Sequence, residues 1–152
     1  MGRLYEELED ETGAVTKYRR HVNGRGLVAP TARVDESAFI DATAWVEADA
    51  IVGRESWVGA GSWIDRGSVI GDRAFIGANV HVGAGSLVGV GVRIGSHTKI
   101  GPDVRIASGA RVDRDIVVPE GAHIGRSPHD KRTLHATLPT AREHENLRRR
   151  AA

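Results

Sequence analysis

Apolar residues in this chain recur with a period of six. Val28, Val34, Ile40 and Val46 begin a series in which every sixth position is Val or Ile, ending at Val112, Val118 and Ile124. The residue after each aliphatic is Gly, Ala, Asp or Glu, with one Pro at Pro119. Two residues before it the side chain is mostly small, as at Ala38, Ala44, Ser56, Ser62 and Ser68, with Val80, Val92, Val104 and Ile116 as larger exceptions. An amphipathic helix needs a period near 3.6, and an antiparallel sheet shows alternation broken by hairpins. A fixed short period predicts a solenoid, in which each repeat buries its apolar face against the next.

Side chains alternate along a strand, so the aliphatic and the small residue two before it share the inner face. The residue between them points out. The corner positions then fall at Gly61, Gly67, Asn79, Gly85, Gly91, His97, Asp103, Gly109, Asp115 and Gly121. These are residue types that tolerate positive φ, so the column is turn chemistry.

This pattern resembles the hexapeptide-repeat family: aliphatic, Gly, two variable residues, a small residue and one more. The resemblance implies an all-β, left-handed parallel β-helix of triangular section with three hexads per coil. Residues 27–125 would make about five coils, roughly 25 Å long at the spacing of stacked strands. Residues 1–26 are expected to be an N-terminal arm and 126–152 a C-terminal tail. Within the arm, Glu6–Glu11 reads as a short acidic helix, and Thr16–Val22 before Asn23-Gly24 as a strand entering a tight turn. Thr140 to Glu143 fits a capping box, predicting a helix over 141–150. Both arms are read as end caps or protomer clasps, because a solenoid exposes a sheet edge at each end. Arg111–Arg132 also resembles the closing coil of the C-terminal β-helix in ADP-glucose pyrophosphorylases, which implies that Pro119 and the turn at Gly121 end the prism.

Three outward columns follow from this winding. They run Leu27, Trp45, Trp63, His81, Lys99, Val117; then Arg33, Ile51, Val69, Leu87, Arg105, His123; then Phe39, Trp57, Phe75, Arg93, Arg111. Apart from Arg33 and Val117, all three are apolar in the early coils and turn basic in the later ones. Contiguous exposed aromatics need cover, so Phe39, Trp45, Trp57, Trp63 and Phe75 are the expected interface residues. The family resemblance implies a homotrimer; another protein docked on the aromatic walls is the alternative. The later basic residues suit either a solvated face or a phosphorylated ligand.

Composition narrows the picture a little. A chain of 152 residues holds one domain plus arms, and the absence of cysteine excludes disulfide and thiol chemistry. The acidic N-terminus lacks an apolar signal region, so a cytoplasmic location without membrane attachment is expected. A net charge of +1 and the lack of aromatics among the basic positions argue against nucleic-acid binding.

Two functional readings remain. The first is a homotrimeric, non-catalytic assembly or binding module that requires no cofactor, supported by a prism with no inserted loop. The second follows from the resemblance: an acyltransferase using acetyl-CoA or another acyl-CoA, with His81 as general base near a subunit interface. In that case Lys99 and Arg105 are the candidate coenzyme A contacts. His97, with Asp115 one coil above it, is a second possible base, although that corner position is also explained by backbone geometry. A γ-carbonic-anhydrase-like zinc site is disfavoured, because Lys99 and Val117 stand where converging ligands would be needed.

Overall fold

A computed structural model describes residues 5–9 and 11–125; the expected helix over 141–150 lies outside the described residues. The chain forms β1 (Tyr5–Glu9), β2 (Val15–Arg20) and β3 (Leu27–Val28), then two-residue strands from β4 (Arg33–Val34) to β19 (His123–Ile124), one per hexad. No α-helix occurs among the described residues. The strands sort into three sheets of eight, six and five strands. Each strand in the prism pairs in parallel with the one three strands later, so Ile51, Val69 and Leu87 lie in register. The product is a three-sided parallel β-solenoid of about five turns.

The expected inner face is the core. Ile40, Val46, Val58, Ile64, Ile76, Val82, Ile94 and Ile100 are completely buried, and so are the small residues Ala38, Ala44, Ser62, Ser68 and Ser86. Val80, Val92 and Val104 also point inward and take up the extra volume there. The buried serines do not leave polar atoms stranded. The Ser62 hydroxyl donates to the Gly77 carbonyl at 2.6 Å and accepts from the Val80 amide at 3.1 Å. Such pairing matters because an unsatisfied buried hydroxyl costs about 1–3 kcal/mol.

Corners confirm the turn chemistry. Asn79, His97, Asp103 and Asp115 have φ between 55° and 61°, alongside Gly61, Gly67, Gly85, Gly91, Gly109 and Gly121. Asp49, Glu55 and Arg73 share that conformation at other corners.

The N-terminal segment departs from expectation in one respect. Glu6–Glu9 belongs to strand β1, not a helix, and β1 pairs antiparallel with β2 over Tyr5↔Arg19 to Glu9↔Val15. Exposure alternates residue by residue along β1 and through Tyr18 of β2, as a strand pair requires, and a neighbouring strand satisfies its backbone better than an isolated single helical turn would. Strand β2 then pairs antiparallel with β3, extending the first face beyond the prism.

The turn after β2 plugs the end of the prism. Amides of the residues on either side of each inward aliphatic donate to carbonyls of the following coil, as in Leu27 N–H to Ala44 O and Ala29 N–H to Val46 O. The corresponding carbonyls of the first coil therefore have no coil beneath them to supply a donor. Arg19 Nη2 donates to Ala32 O at 3.1 Å, His21 Nε2 to Ala38 O at 2.8 Å, and the Gly26 amide to Ile40 O at 2.9 Å. Asn23 Nδ2 donates to Ser37 O at 3.2 Å. Donor-rich side chains thus close an acceptor-rich edge.

Candidate active site

His81 stands on the first face with Trp63 one coil below and Lys99 one coil above, all in register. Its imidazole stacks on the Trp63 indole, with ring centroids 4.4 Å apart and planes inclined by 20°. Nε2 lies 3.2 Å from Oδ2 of Asp65. The His81 and Asp65 side chains are 30% and 26% exposed, so the pair is sheltered yet reachable. Trp63 and Asp65 flank the buried Ile64, and a strand's alternation puts both on the outer surface. The coil below His81 therefore supplies both its stacking partner and its acid.

Asp65 occupies the position that follows the aliphatic, where later coils of the same column carry Gly83 and Gly101. Its predecessor in the column is Glu47, whose Oε2 accepts a 3.0 Å hydrogen bond from the Tyr18 hydroxyl of β2. Tyr18 is buried against Trp45, with ring centroids 5.6 Å apart. Burial, reinforced by that bond to Glu47, pushes the Tyr18 phenol up to about 12. It is a fixed strut at physiological pH and not a proton donor. Neither acid interaction was anticipated from the sequence. Asp65 was within reach of the same register arithmetic, because the residue two beyond a stacking neighbour shares its face.

The other sequence-derived residues scatter. Lys99 is exposed beside His81, whereas Arg105 lies on the second face between Leu87 and His123. The structure does not bring Lys99 and Arg105 together. His97 and Asp115 both occupy the left-handed corner between the third and first faces, and no hydrogen bond joins their side chains among the described residues. Among those residues no group of three or more His, Asp or Glu side chains could hold a metal ion.

The aromatic columns point outward as expected, with one correction. Leu27 is buried, because strand β2 covers it. Trp45, Trp57, Trp63 and Phe75 remain 37–44% exposed, and Phe39 is half-buried. Phe39 stacks on Trp57 at 4.0 Å and Trp57 on Phe75 at 6.3 Å, making a ladder up the third face.

The family model for the bacterial transferase hexapeptide (six repeats) matches residues 79–114. Those residues carry the hexapeptide repeat, and the fold around them is a β-solenoid. This repeat is similar to that in the acetyltransferase domain of PglB from Neisseria gonorrhoeae FA1090, at 26% identity and a TM-score of 0.63, over 64% of this chain and 48% of that one. The same domain in complex with acetyl coenzyme A matches at 24% identity and a TM-score of 0.62, covering 65% and 50%. PerB from Caulobacter crescentus, in complex with CoA and GDP-perosamine, matches at 26% identity and a TM-score of 0.60, covering 66% and 50%. The chain spans about half the length of those solved structures. No curated protein matches it.

Proposed function

We propose that this protein transfers an acyl group from an acyl-CoA to a hydroxyl or amine, with His81 as general base. The observation that carries the reading is the imidazole of His81 held between the Trp63 indole and the Asp65 carboxylate. A carboxylate accepts from Nε2–H and so selects the tautomer whose Nδ1 carries a lone pair. That nitrogen takes the acceptor's proton as its oxygen or nitrogen attacks the thioester carbonyl. Collapse of the tetrahedral intermediate expels the CoA thiolate, and the proton passes from His81 to sulfur. Asp65 balances the charge on the transient imidazolium. The similarity to PglB and PerB supports the donor class; it does not name the acceptor.

Assembly belongs to the same proposal. Half-exposed Trp, Phe, Ile and Leu on flat walls favour a homotrimer that brings a neighbouring prism alongside His81, where it would help exclude water. This joins the two readings of the sequence, since the apolar walls then build the site.

Acetyl-CoA titrated calorimetrically into the purified protein tests the donor, and CoA thiol release across a panel of amines and alcohols tests transfer. Binding in the wild type, with turnover falling by about 10²- to 10⁴-fold in His81→Ala, is expected. Absence of binding by acetyl-CoA and longer acyl-CoAs, or equal turnover in His81→Ala, overturns the proposal.

A further inference from the structure

Two approaches to His81 are closed. The Trp63 indole covers the lower face of its ring at a centroid distance of 4.4 Å, and Asp65 occupies Nε2 at 3.2 Å. What remains open is Nδ1 and the side toward the coil above. Lys99 stands there, on the next rung of the same ladder. About 4.8 Å separates the two rungs. The pairing is rigid, because Val82 and Ile100 beside it are completely buried and in register, and the Gly83 amide donates to Ile100 O at 2.8 Å.

Lys99 lacks the partner that His81 has. The acid that holds His81 lies sixteen residues earlier in the chain, and the same offset from Lys99 falls on Gly83. Lys99 is exposed and makes no ion pair among the described residues. Lys17, by contrast, sits 4.5 Å over the Tyr5 ring and is paired in register with Glu7. An untethered amine on a flexible four-carbon stem reaches the atoms around it, and it is a nucleophile once deprotonated. Here those atoms include a general base.

We propose that Lys99 is a self-acylation site. The inference rests on the reading of His81 as the base for acyl transfer. With acetyl-CoA bound and no external acceptor present, the Lys99 ammonium loses one proton to water, and Nζ attacks the thioester carbonyl. Its second proton passes to Nδ1 of His81 as the C–N bond forms. The C–S bond then breaks, and His81 returns that proton to the CoA thiolate. The products are acetyl-lysine, free CoA and the proton released first. Acetylation removes the charge of Lys99, so the reaction also deletes the cation beside His81.

The full chain incubated with acetyl-CoA tests this, with peptides mapped by tandem mass spectrometry and acetyl-CoA binding followed by calorimetry. Lys99 should gain one acetyl group on the order of 100-fold faster than Lys17, which serves as the internal control. His81→Ala, with unchanged circular dichroism, should slow Lys99 by about 100-fold and leave Lys17 as it was. The rate constant should not depend on protein concentration, since base and amine belong to one prism. Binding with Lys99 modified no faster than Lys17 overturns self-acylation alone; His81-dependent thiol release to small amines or alcohols then keeps the acyl-transfer reading. Equal modification of Lys99 in His81→Ala also overturns it, as ordinary chemical acetylation of an exposed amine. A rate constant that rises with protein concentration does the same. No binding of acetyl-CoA or longer acyl-CoAs removes both the acyl-transfer reading and this inference.

Discussion

Asp65 and His81 are sixteen residues apart in the chain and meet through a 3.2 Å contact between Oδ2 and Nε2. One coil of the solenoid is eighteen residues, so the acid lies one coil below the histidine and two residues along. This offset is rigid because the buried Ile64 and Val82 between them are locked in register. The orientation of His81 is therefore a property of the repeat and not of a mobile loop.

Asp65 should act through His81. Asp65→Asn removes the charge that stabilises the imidazolium, so kcat for acyl transfer should fall on the order of 100-fold while KM for acyl-CoA stays close to wild type. Asp65→Glu should recover part of the rate. An unchanged kcat in Asp65→Asn, measured by thiol release, counts against the role.

The tight stacking of coils should separate two classes of glycine. A Cβ at Gly83 would meet the backbone of Gly101 and Pro102 at 2.4–2.5 Å, whereas one at Gly91 would meet nothing within 4 Å. Gly91 instead has φ of +69°. Gly91→Ala should cost about 1 kcal/mol from backbone strain. Gly83→Ala should cost about 1–3 kcal/mol more, because neighbouring coils must separate. Urea denaturation of both variants checks the order.

Acid should loosen the N-terminal plug. Burial holds the His21 imidazole below its ordinary pKa of 6.5, ahead of the opposing effect of its bond to Ala38. The unfolded chain therefore takes up this proton at a higher pH than the folded one. The stabilising contribution is complete above about pH 6.5 and is lost as pH falls toward the depressed folded value. Thermal stability should decline from pH 7 to 5, and His21→Gln, which keeps an N–H donor but does not titrate, should flatten that decline. Equal pH dependence in the two proteins would exclude His21 as its source.

The apolar walls should drive association. Sedimentation of the wild type should give about three times the 16.3 kDa chain mass. Trp57→Glu with Ile51→Glu should lower it, because both side chains are exposed on the prism and do not contribute to its core. A monomeric wild type would refute the trimer.

Legibility varied along the chain. The core residues, corners and outward columns were readable because each position in a hexad has one possible direction once the winding is set. His81 was readable for the same reason. Its acid partner was readable in principle but lay outside the usual search for adjacent or helically spaced pairs. The arm was misread at Glu6–Glu9, where a run of acids resembles a surface helix; pairing with β2 gave its backbone a better partner. Burial of Leu27 was equally invisible, since it depends on that hairpin folding back.

Periodicity in the sequence determined the solenoid, its three faces and the side chains that line each of them. A repeat of one buried aliphatic every six residues allows few other ways to hide them from water. Only the tertiary structure decided which neighbours meet across coils: Asp65 with His81, and Arg19 and His21 with the open carbonyls. Those contacts join residues about one coil apart, or link the arm to the first coil. Their geometry is set by stacking between coils, which no local sequence window contains.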